Sequence, residues 1–222
     1  MIPLKDENPS KTVPIVNICL ILTNFSVFVY QNFFVPGGAE PLIKRLGFIP
    51  YEVINAVDLD TKHLVAAPLT LLSSMFVHGG WLHLLGNMLY LWIFGDNVED
   101  TLGHIKYLCF YIMCGVMASL THGFLNLNSQ VPVVGASGAI GGVLGAYMFL
   151  FPKARIKTAL ILLVFVQVVS IPAVILLGYW ILIQILSGMT EFGSLTRTGI
   201  AWFAHVGGFV AGLILVIMMR KS

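Results

Sequence analysis

The composition of this chain excludes a water-soluble domain. Of its 222 residues, 58% are hydrophobic and only 10% are charged, whereas a soluble domain carries about 25% charged residues. The net charge of +2 does not indicate nucleic-acid binding, because the basic residues fall at the ends of apolar stretches and in loops. These properties predict an all-α integral membrane protein, folded as one domain over residues 1–222 and surrounded by membrane lipid.

Apolar stretches predict six membrane-spanning helices, since a spanning helix needs roughly 20 mostly apolar residues. The predicted spans lie near residues 14–34, 80–96, 105–124, 134–151, 171–187 and 200–219. The first stretch has no small-residue cleavage site, so we expect a span there and not a removable signal peptide. Cys19, Cys109 and Cys114 fall inside the spans, and their spacing indicates neither a disulfide framework nor a metal site.

Two connecting regions need separate interpretation. The first loop, 35–79, is long, and such connections are uncommon and usually functional. We expect short interfacial helices in it, one of them over Glu40–Leu46 with Pro41 in its first turn. The apolar run 158–170 is too short to span a membrane. It is either a separate interfacial piece or the start of one long kinked helix that continues into the fifth span.

The distribution of Lys and Arg predicts the orientation, because these residues are enriched in cytoplasmic loops. With the N-terminus inside, the cytoplasmic side holds Lys5, Lys11, Lys106, Lys153, Arg155, Lys157, Arg220 and Lys221, and the outer side holds Lys44, Arg45, Lys62 and Arg197. An additional span at 158–170 would move Arg220 and Lys221 outside. We therefore favour six spans with cytoplasmic N- and C-termini.

Four polar side chains from three predicted spans fall at one depth. Ser137 lies near the start of the fourth span and His205 near the start of the sixth. His83 and Asn87 are four residues apart in the second span, so they share one helix face. All three spans start on the outer side in the favoured topology. Polar groups at such depth are costly and usually face the bundle interior or a water-filled cavity, so we expect the four to meet.

Glycines on the same helix faces explain how the serine and the histidine could meet. The two sets are Gly141 and Gly145 beside Ser137, and Gly208 and Gly212 beside His205. Small residues at this spacing allow helix backbones to approach closely in lipid. A lone serine in a span more often serves packing alone, and a Gly-x-Ser-Gly string is weak by itself. The shared depth of four polar residues favours a functional site.

The residue types predict nucleophilic catalysis. A serine hydroxyl is a weak nucleophile that needs a neighbouring base, which His205 would supply to Ser137. His83, Asn87 and the backbone N–H of Ser137 are candidate donors to the oxyanion that develops during acyl transfer. No carboxylate lies at this depth, so the pattern predicts a Ser-His dyad and not a triad.

The remaining polar residues are interpreted as supporting or structural. His78, at the membrane edge, is expected to help hydration or to pack the helix that follows it. A metal site built from His78, His83 and His205 is disfavoured, because no carboxylate, cysteine or His-Glu-x-x-His string accompanies them. No metal or other cofactor is expected. Interfacial positions are assigned to His63, His104 and His122, and a structural role at the turn to the third span is assigned to Asp96, Glu99 and Asp100.

The motifs together resemble those of the rhomboid family of intramembrane serine proteases, in the minimal six-span form of prokaryotes. The matching motifs are His78-Gly-Gly-Trp-Leu-His83-Leu-Leu-Gly-Asn87, Gly135-Ala-Ser137-Gly138 and His205-Val-Gly-Gly208. Their order and their placement in the second, fourth and sixth spans match the family.

The resemblance implies a function and assigns roles by position. The implied roles are nucleophile for Ser137, base for His205, oxyanion stabilisation for His83, Asn87 and the Ser137 N–H, and support for Gly135, Gly138 and His78. The implied substrates are transmembrane proteins, cut in or near their membrane segments, often after a small residue. They would enter sideways near the second and fifth spans, and the loop 188–199 would act as a mobile cap.

Two departures from the family pattern affect these expectations. Some relatives carry an aromatic residue four positions after the serine, packed on the histidine, where this chain has Gly141. The orientation of His205 must then come from other contacts, such as Trp202 or the backbone of the fourth span. Some relatives also carry a Trp-Arg pair in the first loop, and this loop contains no tryptophan.

Two alternatives from other functional classes remain. One is a non-catalytic relative that binds transmembrane partners, although such proteins lack the serine or the histidine that this chain keeps. The other is a small transporter, because broken glycine-rich spans with polar residues at depth suit that class too. Short chain ends without an import signal suggest a prokaryotic cytoplasmic membrane, with the site open to the outer side.

Overall fold

The computed structural model describes residues 1–57, 59, 65–162, 165–191 and 199–220. The helices are α1 (Ile15–Phe33), α2 (Ala39–Leu46), α3 (Pro50–Asn55), α4 (Thr70–Ser73), α5 (Trp81–Leu102), α6 (His104–Leu125), α7 (Ser137–Leu150), α8 (Ala173–Glu191) and α9 (Trp202–Met219). The strands are β1 (Ile2–Asp6), β2 (Arg155–Leu162) and β3 (Phe165–Pro172). Short 3₁₀ turns at Ala67–Leu69 and Ser74–Phe76 flank α4.

The chain is a mostly helical, multi-pass membrane protein, and each predicted span contains one helix. Within the described residues, α1, α6, α8 and α9 are long and apolar enough to cross a membrane by length and composition. Helix α7 is apolar but has only 14 residues, and α5 ends in a stretch that carries acidic residues. The buried core lies where α5, α6, α7 and α9 pack together.

The long helices run in alternating directions between two ends of the bundle. At one end, Glu99 near the end of α5 accepts a 2.7 Å hydrogen bond from the backbone N–H of Asn17 at the start of α1. At the same end, Lys106 at the start of α6 donates to the Met219 carbonyl at the end of α9, at 3.1 Å. We call this the sheet end, because the strands lie there, and we call the opposite end, where α7 begins at Ser137, the site end.

A three-stranded antiparallel sheet, in the order β1-β2-β3, is an addition to the predicted all-α fold. Strand β2 pairs with β3 from Arg155 opposite Pro172 to Leu162 opposite Phe165, and β1 pairs with β2. The run 158–170 is therefore not the start of a kinked fifth helix, and that alternative was wrong. Its Ile and Val content favours a strand, whereas an apolar run of this length does not reveal its secondary structure by periodicity.

Acidic residues at the end of α5 hold the start of α1. The Glu99 carboxylate accepts from the backbone N–H groups of Val16 and Asn17 at 2.9 and 2.7 Å, which satisfies free donors at a helix N-terminus. It also lies 2.5 Å from His104 Nδ1 at the start of α6. Asp100 accepts from the Thr12 hydroxyl at 2.6 Å. Glu99 and Asp100 therefore have a structural role, as expected. They hold the start of α1 as well as the turn from α5 to α6.

Strand β1 places one buried carboxyl, Asp6, against the bundle. Its Oδ2 atom accepts hydrogen bonds from the Tyr147 hydroxyl at 2.9 Å and from Asn97 Nδ2 at 3.0 Å, and Asn8 donates to Asn97 Oδ1. Burial raises the pKa of Asp6 from 3.8 to about 6; the Tyr147 hydrogen bond opposes this shift and the charge of Asp96 adds to it. The folded protein thus binds a proton at Asp6 more tightly than the unfolded chain does.

This pKa shift predicts a pH-dependent difference between the wild type and Asp6→Asn. Because the folded pKa lies above the unfolded one, the contribution of Asp6 to stability is fully present below about pH 4 and is lost as the pH rises through 6. The amide of the variant does not ionise. We expect the melting temperature of Asp6→Asn, relative to wild type, to increase between pH 4 and pH 7 in detergent thermal-unfolding scans. A difference that decreases over this interval would contradict the assignment.

The first loop is tied to both flanking parts of the bundle. Helix α2 covers the predicted Glu40–Leu46 segment. Phe48 and Val133 exchange two backbone hydrogen bonds of 3.0 and 2.8 Å, which joins the loop to the segment before α7. At the end of α1, the Gln31 side chain donates to the His78 carbonyl at 2.6 Å and accepts from its N–H at 3.3 Å. These contacts anchor a loop that lacks the Trp-Arg pair of some relatives.

The predicted contact between the glycine faces of the fourth and sixth spans is present. A Cβ atom on Gly141 would lie 2.8 Å from the His205 carbonyl oxygen, and a Cβ on Gly208 or Gly212 would overlap the backbone of α7. Helices α7 and α9 therefore pack backbone against backbone, as small-residue faces allow. Gly141 takes part in this approach, so the position has no space for the aromatic side chain found in some relatives.

Candidate active site

Ser137 is the first residue of α7 and follows a turn that only glycine fits. Gly135 has a φ of +118°, a conformation that side-chain-bearing residues rarely adopt. A Cβ atom there would also lie 2.6 Å from His83 Nε2. The Gly135 N–H donates to the Ser74 carbonyl at 2.9 Å. The backbone geometry of this turn therefore sets the position of the Ser137 side chain.

The structure places the Ser137 hydroxyl beside the His205 ring. Ser137 Oγ lies 2.8 Å from His205 Nε2, which is hydrogen-bond distance. His205 is in the first turn of α9, so the close packing of α7 on α9 brings the two side chains together from separate helices. With this geometry, the imidazole is able to accept the proton of the hydroxyl.

A third side chain, Gln184 of α8, contacts the other nitrogen of the imidazole. His205 Nδ1 lies 2.7 Å from Gln184 Oε1, and Gln184 is buried at 6% exposure. The sequence-based prediction did not include this residue, although a glutamine inside an apolar span is a signal, because polar groups there are costly and usually have a partner.

Two tryptophans flank the same ring. The Trp180 ring lies 5.9 Å from His205 between centroids, and the Trp202 ring lies 6.2 Å away, nearly perpendicular to it. The Trp202 indole N–H donates to Glu191 at 2.7 Å, which holds that ring in place. The expected contact between Trp202 and His205 is therefore present. Together with the Gln184 oxygen, these two rings contact His205 in a chain that has Gly141 four positions after the serine.

His83 and Asn87 face the turn before Ser137, as expected from their shared helix face. His83 Nδ1 accepts from the Gly79 N–H at 3.4 Å, so Nε2 is the nitrogen directed toward Gly135. Asn87 is only 8% exposed, and its Nδ2 atom has no hydrogen-bond partner among the described residues. A buried donor without a partner is costly, and here it lines the cavity that contains Ser137.

His78 contacts the turn and not the serine itself. It is fully buried, and its Nε2 accepts from the Ala136 N–H at 3.5 Å. Its ring packs edge-on against His83, with 5.1 Å between centroids. The geometry favours a packing role in support of the Ser137 turn.

One cavity of about 1200 Å³ connects these groups. Ser137, His205, His83 and Asn87 all line it, and so does Gln184. His122 also lines the cavity, whereas His104 pairs with Glu99 at the sheet end and His63 lies outside the described residues. Among the residues that the structure describes, no three His, Cys, Asp or Glu side chains are grouped to hold a metal ion.

The fold and the site together define a class: a multi-pass helical membrane protein with a half-buried serine–histidine pair at a cavity. The family model described as Rhomboid domain matches residues 66–222, which include every residue of the site. The chain therefore belongs to the rhomboid family. That family generally consists of intramembrane serine proteases.

Individual relatives are similar at about 30% identity. The chain is 30% identical to "Rhomboid protein 1, mitochondrial" of Saccharomyces cerevisiae over 72% of this chain and 44% of the relative. It is 32% identical to "RHOMBOID-like protein 5" of Arabidopsis thaliana over 84% and 53%, respectively. It is 28% identical to "Rhomboid-like protease 5" of Toxoplasma gondii over 78% and 18%. The chain thus spans about half the length, or less, of these curated relatives.

Proposed function

We propose that this protein is an intramembrane serine endopeptidase that hydrolyses peptide bonds in or near the transmembrane segments of membrane proteins. The observation that carries the proposal is the 2.8 Å contact between Ser137 Oγ and His205 Nε2 inside the bundle. Family membership supports it, because rhomboids act on transmembrane substrates within membranes.

In the proposed reaction, His205 Nε2 takes the hydroxyl proton while Ser137 Oγ attacks the scissile carbonyl carbon. The resulting oxyanion accepts hydrogen bonds from His83 Nε2, Asn87 Nδ2 and the Ser137 N–H. His205 then gives its proton to the leaving amine, and the C–N bond breaks to leave an acyl ester on Ser137. His205 takes a proton from water as the water oxygen attacks the ester, and it returns that proton to the serine oxygen as the C–O bond breaks. The product leaves as a carboxylic acid, which then ionises in water.

The proposed topology has six spans, both termini cytoplasmic and the site open to the outer side. Substrate would enter sideways near α5 and α8. The cap that the resemblance implies over 188–199 overlaps the end of α8 at 188–191, and its residues 192–198 lie outside the described residues. Gly188 and Gly199, at its two ends, line the cavity. The prokaryotic cytoplasmic membrane stays a prediction; the three relatives named above come from eukaryotes, and one of these three carries "mitochondrial" in its name.

A fluorophosphonate probe tests the proposal without a known substrate. We expect the detergent-solubilised protein to be labelled covalently at Ser137, because an activated serine attacks phosphorus and expels fluoride. Peptide mass spectrometry locates the adduct. Ser26→Ala is the matched control, since Ser26 is an exposed residue of α1, and it should label normally.

A folded wild-type protein that takes no label and cuts no transmembrane reporter would contradict the proposal. If that protein retained transmembrane ligands, the non-catalytic alternative would replace the protease, and ion or solute flux in liposomes would favour the transporter.

A further inference from the structure

We propose that Gln184 is a positioning residue, which fixes His205 in the tautomer that carries its proton on Nδ1 and leaves Nε2 free to accept the Ser137 proton. The inference rests on the proposed function and adds a third member, from α8, to the serine and histidine of α7 and α9. Its basis is a chain of hydrogen bonds from the α8 backbone to the serine hydroxyl.

The first step concerns the direction of the Gln184 amide. Its Nε2 atom donates to the carbonyl oxygen of Trp180, one helical turn earlier, at 3.2 Å. A carbonyl oxygen accepts hydrogen bonds and does not donate them, so the NH₂ group must face Trp180. The amide oxygen is therefore the atom directed at the imidazole.

The second step concerns the imidazole. A neutral histidine carries one N–H donor and one acceptor nitrogen. Because His205 Nδ1 lies 2.7 Å from the Gln184 oxygen, it must be the donor. His205 Nε2 is then the acceptor, 2.8 Å from Ser137 Oγ. The α8 backbone thereby selects the tautomer that general-base catalysis requires.

The third step concerns the alternatives open to the ring. Trp180 and Trp202 flank the imidazole and restrict its rotation, but an aromatic face does not distinguish Nδ1 from Nε2 as a proton carrier. Without Gln184, a proton on Nε2 would leave the serine with no acceptor. Orientation and tautomer are therefore set by different side chains, and among the described residues it is Gln184 that sets the tautomer.

Two substitutions distinguish the effect of the Gln184 acceptor oxygen from the effect of the side chain's size and shape. Gln184→Met keeps the length and removes the oxygen, whereas Gln184→Glu keeps an oxygen at the same position. We expect Gln184→Met to lower the maximal rate of fluorophosphonate labelling, kinact, by about 10- to 100-fold, with KI changed less than twofold. Gln184→Glu should recover most of this rate. Gln167→Met, at an exposed site on β3, is the matched control and should label as wild type.

Nitrogen NMR of ¹⁵N-histidine-labelled protein gives a readout that a purely structural role would not move. Near neutral pH, the His205 signal, identified by its loss in His205→Asn, should show Nδ1 protonated in wild type and a shift toward protonated Nε2 in Gln184→Met. A wild-type His205 protonated on Nε2 would overturn the inference, even if Gln184→Met failed to fold.

The labelling and NMR outcomes distinguish the inference from the proposed function. Wild-type labelling together with an undiminished kinact in Gln184→Met would overturn the role of Gln184 and leave the protease intact. A wild type that does not label would instead contradict the protease, while the tautomer measurement would still decide whether Gln184 orients His205.

Discussion

Cleavage of a transmembrane reporter should be lost in Ser137→Ala, with a rate at least about 10⁴-fold below wild type. The substitution removes the oxygen that would attack the peptide carbonyl, and the 2.8 Å contact with His205 is lost with it. Because alanine fits the first turn of a helix, the melting temperature in detergent should change little. The measurement is product formation in proteoliposomes that contain a tagged single-span reporter cut by the wild type.

His205→Ala should lower the rate to a similar extent, and the double variant should be no slower than either single one. Residues that act as one unit show such non-additivity, because removing one member already removes the function of the other. Ser26→Ala is the control for the serine-to-alanine change. A Ser137→Ala protein that still cuts the reporter at more than a few percent of the wild-type rate would place the nucleophile elsewhere.

The contact between Ser137 and His205 was predictable, because the membrane limits where polar side chains can lie. Polar residues at depth must find partners, and glycines at four-residue spacing show which helix faces touch. Gly141 shows the limit of this reasoning. The missing aromatic side chain is visible in the sequence, but the reason for its absence is not. A Cβ atom at this position would lie 2.8 Å from the His205 carbonyl oxygen, a distance that depends on how closely α7 and α9 approach.

Polar residues other than histidine carried information that the sequence-based prediction did not use. Asn17, Asn24 and Gln31 recur every seven residues along α1, which places them on one face, and all three are buried. Asn17 donates to the Leu91 carbonyl at 2.9 Å and accepts from Tyr107 at the same distance. The same rule that identified His83 would have identified this face and Gln184.

Local sequence patterns do not predict the three-stranded sheet. Strand β1 pairs with residues of β2 that lie about 150 positions away in the sequence. The sequence of neither strand indicates that it pairs with the other. Lys5 and Asp6 at its end also suggest a charged tail rather than a strand, until the Tyr147 and Asn97 partners of Asp6 are known. Long-range pairing depends on tertiary contacts, which periodicity in one segment does not encode.

Asn87 offers the sharpest test of oxyanion stabilisation. Its Nδ2 atom has no partner among the described residues, so Asn87→Ala removes a donor without leaving another protein group unsatisfied. We therefore expect little change in thermal stability but a loss of about 10²- to 10³-fold in kcat, or roughly 3 to 4 kcal/mol of transition-state stabilisation. Reporter cleavage in proteoliposomes, compared with Asn55→Ala at an exposed site of α3, measures the effect.

Asn87→Asp then distinguishes the effect of hydrogen-bond donation by Asn87 from the effect of the shape of its side chain. The aspartate side chain has nearly the same size, but a carboxylate accepts hydrogen bonds and would repel the developing oxyanion. Its kcat should therefore be at least as low as that of Asn87→Ala. If Asn87→Asp kept the wild-type rate, donation from Nδ2 would not contribute to the transition state. The oxyanion would then depend on His83 and the Ser137 N–H. Adding His83→Ala to the Asn87→Ala variant should in that case lower kcat by more than Asn87→Ala does alone.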